Sequence, residues 1–130
     1  MICLDSTFII DYLRGEPQAL EKAAEYGEEE LVTTTVNCFE ALSGIIGSNA
    51  GQRGQDSFAG LIASIRVLDL DYRAAHEGAG IFSGLAGIGK RIEASDCMVA
   101  GAMISNGCRK ILTRNKKHFS RISGIEVETY

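Results

Sequence analysis

Short apolar runs alternate with amphipathic stretches along this chain. Ile2-Cys3-Leu4, ending at Asp5, predicts a buried strand over residues 1–5. Ser6 and Thr7 supply hydroxyls suited to capping a helix, and Phe8 to Leu13 place apolar residues on one face with Asp11 off it. That helix should end near Gly15, and Pro17 falls in the first turn of a second helix running to about Tyr26. Leu31 to Thr35 is rich in β-branched residues and predicts a second strand. Asn37 can cap a helix from Cys38 to about Ile46. Glu40 would then lie in the first turn, where the positive end of the helix dipole favours an ionised carboxylate.

Residues 47–56 carry glycines and polar side chains and predict a turn, followed by a helix from about Ser57 to Ile65 and a strand at Val67-Leu68. Asp71 opens a long helix through Gly84, in which several glycines permit either close helix packing or bending. Another helix starts at Ala94 or Ser95, points Met98, Val99, Ala102 and Met103 toward the core, and ends at Gly107. Asp96 falls in its first turn. Lys110 to Thr113 predicts a fourth strand, Lys116 to Ile122 a short helical turn, and Ile125 to Glu128 a last strand with Ile125 and Val127 inward. The alternation of strand and helix implies an α/β fold with a parallel sheet covered on both faces.

A length of 130 residues fits one domain, residues 1–130, able to bury a core without disulfides. The 45% hydrophobic and 23% charged residues match a globular protein, and no apolar stretch reaches the roughly 18–20 residues of a membrane span. Residues 1–5 read as a strand, not a signal peptide. Cys3, Cys38, Cys97 and Cys108 show no C-x-x-C pair and no histidine at zinc-ligand spacing, so they read as reduced structural thiols. Cytoplasmic localisation follows as the expectation.

The net charge of −4 argues against coating nucleic acid by bulk electrostatics, but its distribution is uneven. Residues 1–40 hold nine acids and two bases, whereas residues 90–130 hold eight Lys or Arg and four acids. Asp5 ends the first strand, Asn115 follows the fourth, and Glu40 and Asp96 stand near helix starts. In a parallel sheet these positions converge on the crevice at the carboxyl ends of the strands. A carboxylate cluster there repels itself unless it holds a divalent ion, and hard oxygen ligands suit magnesium or manganese better than zinc. Such an ion lowers the pKa of coordinated water and neutralises a phosphodiester, and basic residues beside it suit the flanking phosphates. Each residue also has a plainer reading: Asp5 as a helix cap, Glu40 and Asp96 as first-turn acids, Asn115 as a turn former. Asp11 reads as solvated surface, Glu93 as a rim acid or accessory residue, and His76 and His118 as structural.

Four segments carry a family pattern: Leu4-Asp5-Ser6-Thr7 running on to Leu13, Thr35 to Leu42 around Glu40, Ile92 to Ala100 around Asp96, and Leu112-Thr113-Arg114-Asn115-Lys116-Lys117-His118-Phe119. Together they resemble the four motifs of the PIN-domain family, most nearly the small VapC-type toxins of prokaryotic toxin–antitoxin pairs. The resemblance implies a three-layer α/β/α sandwich around a mostly parallel sheet of about four to five strands. It implies a Mg2+- or Mn2+-dependent endoribonuclease with Asp5, Glu40 and Asp96 as metal residues and Asn115 completing the catalytic set. An asparagine where the family commonly has aspartate removes one charge and leaves the metal count open. Ser6, Thr113 and Glu93 would support the site, and Arg114, Lys116 and Lys117 would form an RNA-binding rim. An RNA substrate, an antitoxin protein and a second copy of the chain are the implied partners. The alternative is a catalytically weak protein of this fold that works by holding an RNA or protein partner. A haloacid-dehalogenase site would want Asp-x-Asp after the first strand, and Asp5 is followed by Ser6-Thr7.

Overall fold

A computed structural model describes all residues from Met1 to Tyr130. Five strands, β1 (Ile2–Leu4), β2 (Leu31–Thr34), β3 (Arg66–Leu68), β4 (Lys110–Leu112) and β5 (Glu126–Glu128), form one sheet in the order β3-β2-β1-β4-β5. Every neighbouring pair is parallel, with Cys3 opposite both Val32 and Ile111. Seven helices join them: α1 (Ser6–Leu13), α2 (Pro17–Glu25), α3 (Thr35–Ile46), α4 (Gly51–Ser64), α5 (Tyr72–Gly87), α6 (Ala94–Ser105) and α7 (Lys116–Phe119).

The two-residue period of the strands splits the core between two faces. Ile2, Leu4 and Leu112 join Phe8, Ile9, Ala41 and Phe58 on one side, beneath α1, α3 and α4. Cys3, Val32 and Ile111 join Val99, Met103 and Phe119 on the other, beneath α5 and α6. Both faces are covered, which is why the central strands read as unbroken apolar runs. The chain builds β1, β2 and β3 outward in one direction and then returns to add β4 and β5 on the opposite side of β1. The switch point therefore lies between β1 and β4, where a parallel sheet opens a crevice at its carboxyl edge.

Several local expectations are corrected. Helix α3 begins at Thr35, and Thr34, not Asn37, is its cap: the Thr34 hydroxyl accepts from the Asn37 N–H at 3.0 Å. Glu40 consequently sits in the second turn, beyond the strongest field of the helix end. The expected turn at residues 47–56 already contains the start of α4 at Gly51. α7 ends at Phe119, short of Ile122. Met98 does not face the core; it lies partly exposed beside Val36, Phe39 and Leu70. The glycines of α5 leave it continuous, and Gly78 is where close packing is required. A Cβ on Gly78 would fall 2.8 Å from the Cys97 carbonyl oxygen, and one on the facing Gly101 would fall 2.7 Å from the Gly78 nitrogen. Side chains at either position would force α5 and α6 apart. No helix is long and apolar enough to cross a membrane.

Candidate active site

Asp5 leaves the sheet at the end of β1, where its N–H still donates to the Leu112 carbonyl at 3.1 Å. The end of that strand is fixed from beneath. Leu4 C=O accepts from the Thr33 hydroxyl at 2.8 Å and from Asn37 Nδ2 at 3.2 Å, both on fully buried side chains. The Asp5 carboxylate is 4% exposed, and its Oδ2 accepts from the Thr113 hydroxyl at 2.5 Å and the Thr7 hydroxyl at 3.2 Å. Thr113 Oγ1 also accepts from the Asn115 N–H at 2.8 Å, which ties the loop after β4 to the end of β1. Ser6, buried at the start of α1, meets the Asp5 carboxylate through its backbone N–H, and the α1 hydroxyl bonded to Asp5 is that of Thr7.

Asp96 stands in the first turn of α6 and is 6% exposed. Its Oδ2 accepts from Asn115 Nδ2 at 3.2 Å and lies 2.8 Å from His118 Nδ1. His118 Nδ1 is also 3.0 Å from Asn115 Nδ2. With a proton on Nδ1, both neighbours donate to the same Asp96 oxygen, and Oδ1 is left for another partner. His118, expected in an exposed turn, is therefore partly buried and bonded to Asp96. The signal was present in the three-residue spacing from Asn115, which puts both side chains on one face of a helical turn.

Glu40 completes the group from α3, and Glu93 flanks it at the residue preceding α6. Burial raises the Glu40 carboxyl to about 7, reinforced by the charges of Asp5, Asp96 and Glu93. Asp5 is raised chiefly by burial and further by Asp96, against the Thr113 hydrogen bond, which lowers it. Asp96 is raised by burial and partly restored by His118. At Glu40 desolvation and like charge thus act against the helix end, which favours the ionised form. No three His, Cys, Asp or Glu side chains close into a chelating set in this arrangement. What the structure assembles is an all-oxygen group of mutually repelling acids with few cations among them.

The basic segment divides. Lys110 pairs with Glu29 and Glu128, Arg121 bonds the Lys90 and Arg91 carbonyls, and Lys116 and Lys117 project from α7 into solvent without an ion-pair partner. Arg114 pairs with Asp11, which is 8% exposed and not the solvated residue expected from its place off the apolar face. His76 is exposed on α5, as a mid-helix surface residue should be.

An all-parallel sheet with acids from three elements toward its switch point defines an α/β protein with an acidic crevice. The chain belongs to the PIN-domain family, whose pattern it matches over residues 2–125. It is 27% identical over 127 residues to the tRNA(fMet)-specific endonuclease VapC of Shigella flexneri, covering 98% of this chain and 96% of that protein. Its structure superposes on a chain of the DNA-bound VapBC complex from Salmonella typhimurium with a TM-score of 0.86 at 27% identity, over 98% and 96% of the two chains. A chain of VapBC2 from Rickettsia felis bound to a promoter DNA fragment has the same fold, with a TM-score of 0.86 at 16% identity over 100% and 99% of the chains.

Proposed function

We propose that this protein is a divalent-metal-dependent endoribonuclease acting as the toxin of a toxin–antitoxin pair. The reading is supported by the burial of Asp5 and Asp96 at the carboxyl edge of the sheet, near enough to each other and to Glu40 for their charges to interact, and by the match to VapC relatives over nearly the whole chain. Such a group is relieved by a cation, and its donors are hard oxygens suited to Mg2+ or Mn2+. Asp5, Asp96 and Glu40 would hold the ion, which supplies charge neutralisation at the scissile phosphate and a more acidic water.

The chain's own residues then have separable tasks. Thr113 and Thr7 aim the Asp5 carboxylate, while Asn115 and His118 hold one oxygen of Asp96 and so fix the direction of the other. Glu40 would bring a third carboxylate to the ion, whose charge relieves the repulsion between Glu40, Asp5 and Asp96. Glu93 adds negative charge at the rim, and Lys116 and Lys117 offer cations to the phosphates on either side. The VapC relatives match over nearly the whole chain, so initiator tRNA is the first substrate to test. An antitoxin and a second copy of this chain are the proposed partners, and the cytoplasm, where four free cysteines stay reduced, is the proposed compartment.

The test is cleavage of an initiator tRNA transcript with Mg2+ or Mn2+, repeated with EDTA. Asp5→Asn and Asp96→Asn should each lower the rate by at least about 100-fold, as expected when a charge-stabilising group is removed. Full activity in either variant, or equal cleavage with EDTA, overturns the reading. Tight RNA binding without cleavage by the unaltered protein would instead favour the binding-protein alternative.

A further inference from the structure

Three residues distant in sequence meet beside the loop after β4 that carries Thr113 and Asn115. Arg114 Nε donates to Asp11 Oδ2 at 2.9 Å, and the Tyr130 hydroxyl donates to that same oxygen. The Arg114 guanidinium lies over the Tyr130 ring, 5.4 Å from its centroid, and the Tyr130 ring meets Phe8 edge-on at 5.1 Å. Burial is unequal: the Asp11 side chain is 12% exposed and that of Arg114 is 55% exposed, with no second carboxylate paired to it. The acid is sunk into the protein and the base is held out.

Arg114 is linked toward Asp5 through its backbone and toward Asp96 through the side chain of the next residue. Its N–H donates to Thr7 Oγ1, whose hydroxyl donates to Asp5, and the next residue, Asn115, donates to Asp96. An arginine held by Nε on Asp11 and by the hydroxyl and ring of Tyr130 still keeps some of its five N–H donors on an exposed side for phosphate oxygens. We propose that Arg114 is a substrate-binding residue for the RNA phosphate neighbouring the one at the acids, and that Asp11 and Tyr130 are the positioning residues that hold it there. The inference rests on the nuclease reading and assigns a substrate contact within it.

Charge alone and positioning predict opposite signs at Asp11. If the rim acted only through summed charge, Asp11→Asn would remove a repelling carboxylate and tighten RNA binding. If Asp11 orients Arg114, the same change weakens binding. Binding of an initiator tRNA transcript is measured in EDTA across a salt series, with KM and kcat measured in Mn2+. Arg114→Gln should raise Kd about tenfold and reduce the slope of log K against log salt by about 0.7, the loss of one phosphate contact on a single strand. KM should rise with Kd while kcat stays within about twofold.

Asp11→Asn and Tyr130→Phe should each raise Kd by about three- to fivefold with the salt slope intact, since the cation is kept and only its orientation is loosened. Neither should add to Arg114→Gln in the double variants. Tyr130→Phe preserves the ring contacts with Arg114 and Phe8, so it decides the matter if Asp11→Asn fails to fold. Unchanged Kd and slope in Arg114→Gln, tighter binding in Asp11→Asn, or unchanged Kd in Tyr130→Phe overturns the inference while leaving the nuclease standing. An unaltered protein that neither binds nor cleaves RNA overturns both.

Discussion

Glu40→Gln should make the metal-free protein more stable at neutral and alkaline pH. The Glu40 carboxyl is raised from its ordinary 4.5 to about 7 by burial and by Asp5, Asp96 and Glu93. An acid with a higher pKa folded than unfolded is neutral in both states at low pH and costs nothing there. As pH rises past 4.5 the unfolded chain gains by ionising, and the cost to the fold grows until about 7, where it levels off. At about 1.4 kcal/mol per pH unit the shift corresponds to a ceiling of about 3 kcal/mol. Glu40 is only half-buried, and solvent screening brings the expected gain to about 1–2 kcal/mol. For a domain of this size that is a rise in Tm of about 3–8 °C. Thermal and urea unfolding of both proteins in EDTA, from pH 4 to pH 8, reads the difference directly. The gain should be full at pH 8, shrink as the pH falls, and vanish near pH 4. A variant no more stable than the parent at pH 8, or a difference that is flat with pH, refutes the electrostatic account of the site. Adding Mn2+ should reverse the order, because an ion bound only by the folded parent stabilises it by mass action.

Three other substitutions probe the packing and hydrogen bonds that set the site. Thr113→Val keeps the shape of a fully buried side chain but strips Asp5 of its shortest donor, and should cost about 1–3 kcal/mol in urea unfolding. No loss of stability would mean that the Asp5–Thr113 bond contributes nothing. Gly101→Ala pushes a methyl group against the Gly78 backbone and should destabilise by about 3 kcal/mol or more, read as a lowered Tm with the α5–α6 interface loosened in hydrogen exchange. A neutral result would contradict the close approach of the two helices. His118→Ala should lower kcat about tenfold by freeing Asp96, whereas His118→Asn, which can still donate to Asp96, should retain more activity; equal loss in both would argue against positioning by that hydrogen bond.

The layout of elements is written in local pattern. Apolar runs of three or four residues separated by amphipathic stretches specify strands buried on both faces and helices covering them, because side-chain period is a local property of the backbone. Local pattern also placed Asp5 at the end of β1 and Asp96 in the first turn of α6, since strand ends and helix starts are local too. The α3 boundary was misplaced because three consecutive threonines offer rival caps, and packing against the sheet chose Thr34. The upward shift of the Glu40 carboxyl is not legible in sequence, because desolvation and the charges of Asp5, Asp96 and Glu93 reach it only through the folded crevice.

Contacts between distant residues had no local signature at all. Thr113 reaches Asp5 across 108 positions, Tyr130 reaches Asp11 across 119, and His118 reaches Asp96 across 22. Polar groups at such separations meet only when the sheet order brings β1 beside β4 and the chain beyond β5 returns over α1. That order is fixed by how the apolar faces close over one another. Sequence therefore specified which groups the site contains, and tertiary structure decided which of them are buried, paired or left open to a substrate.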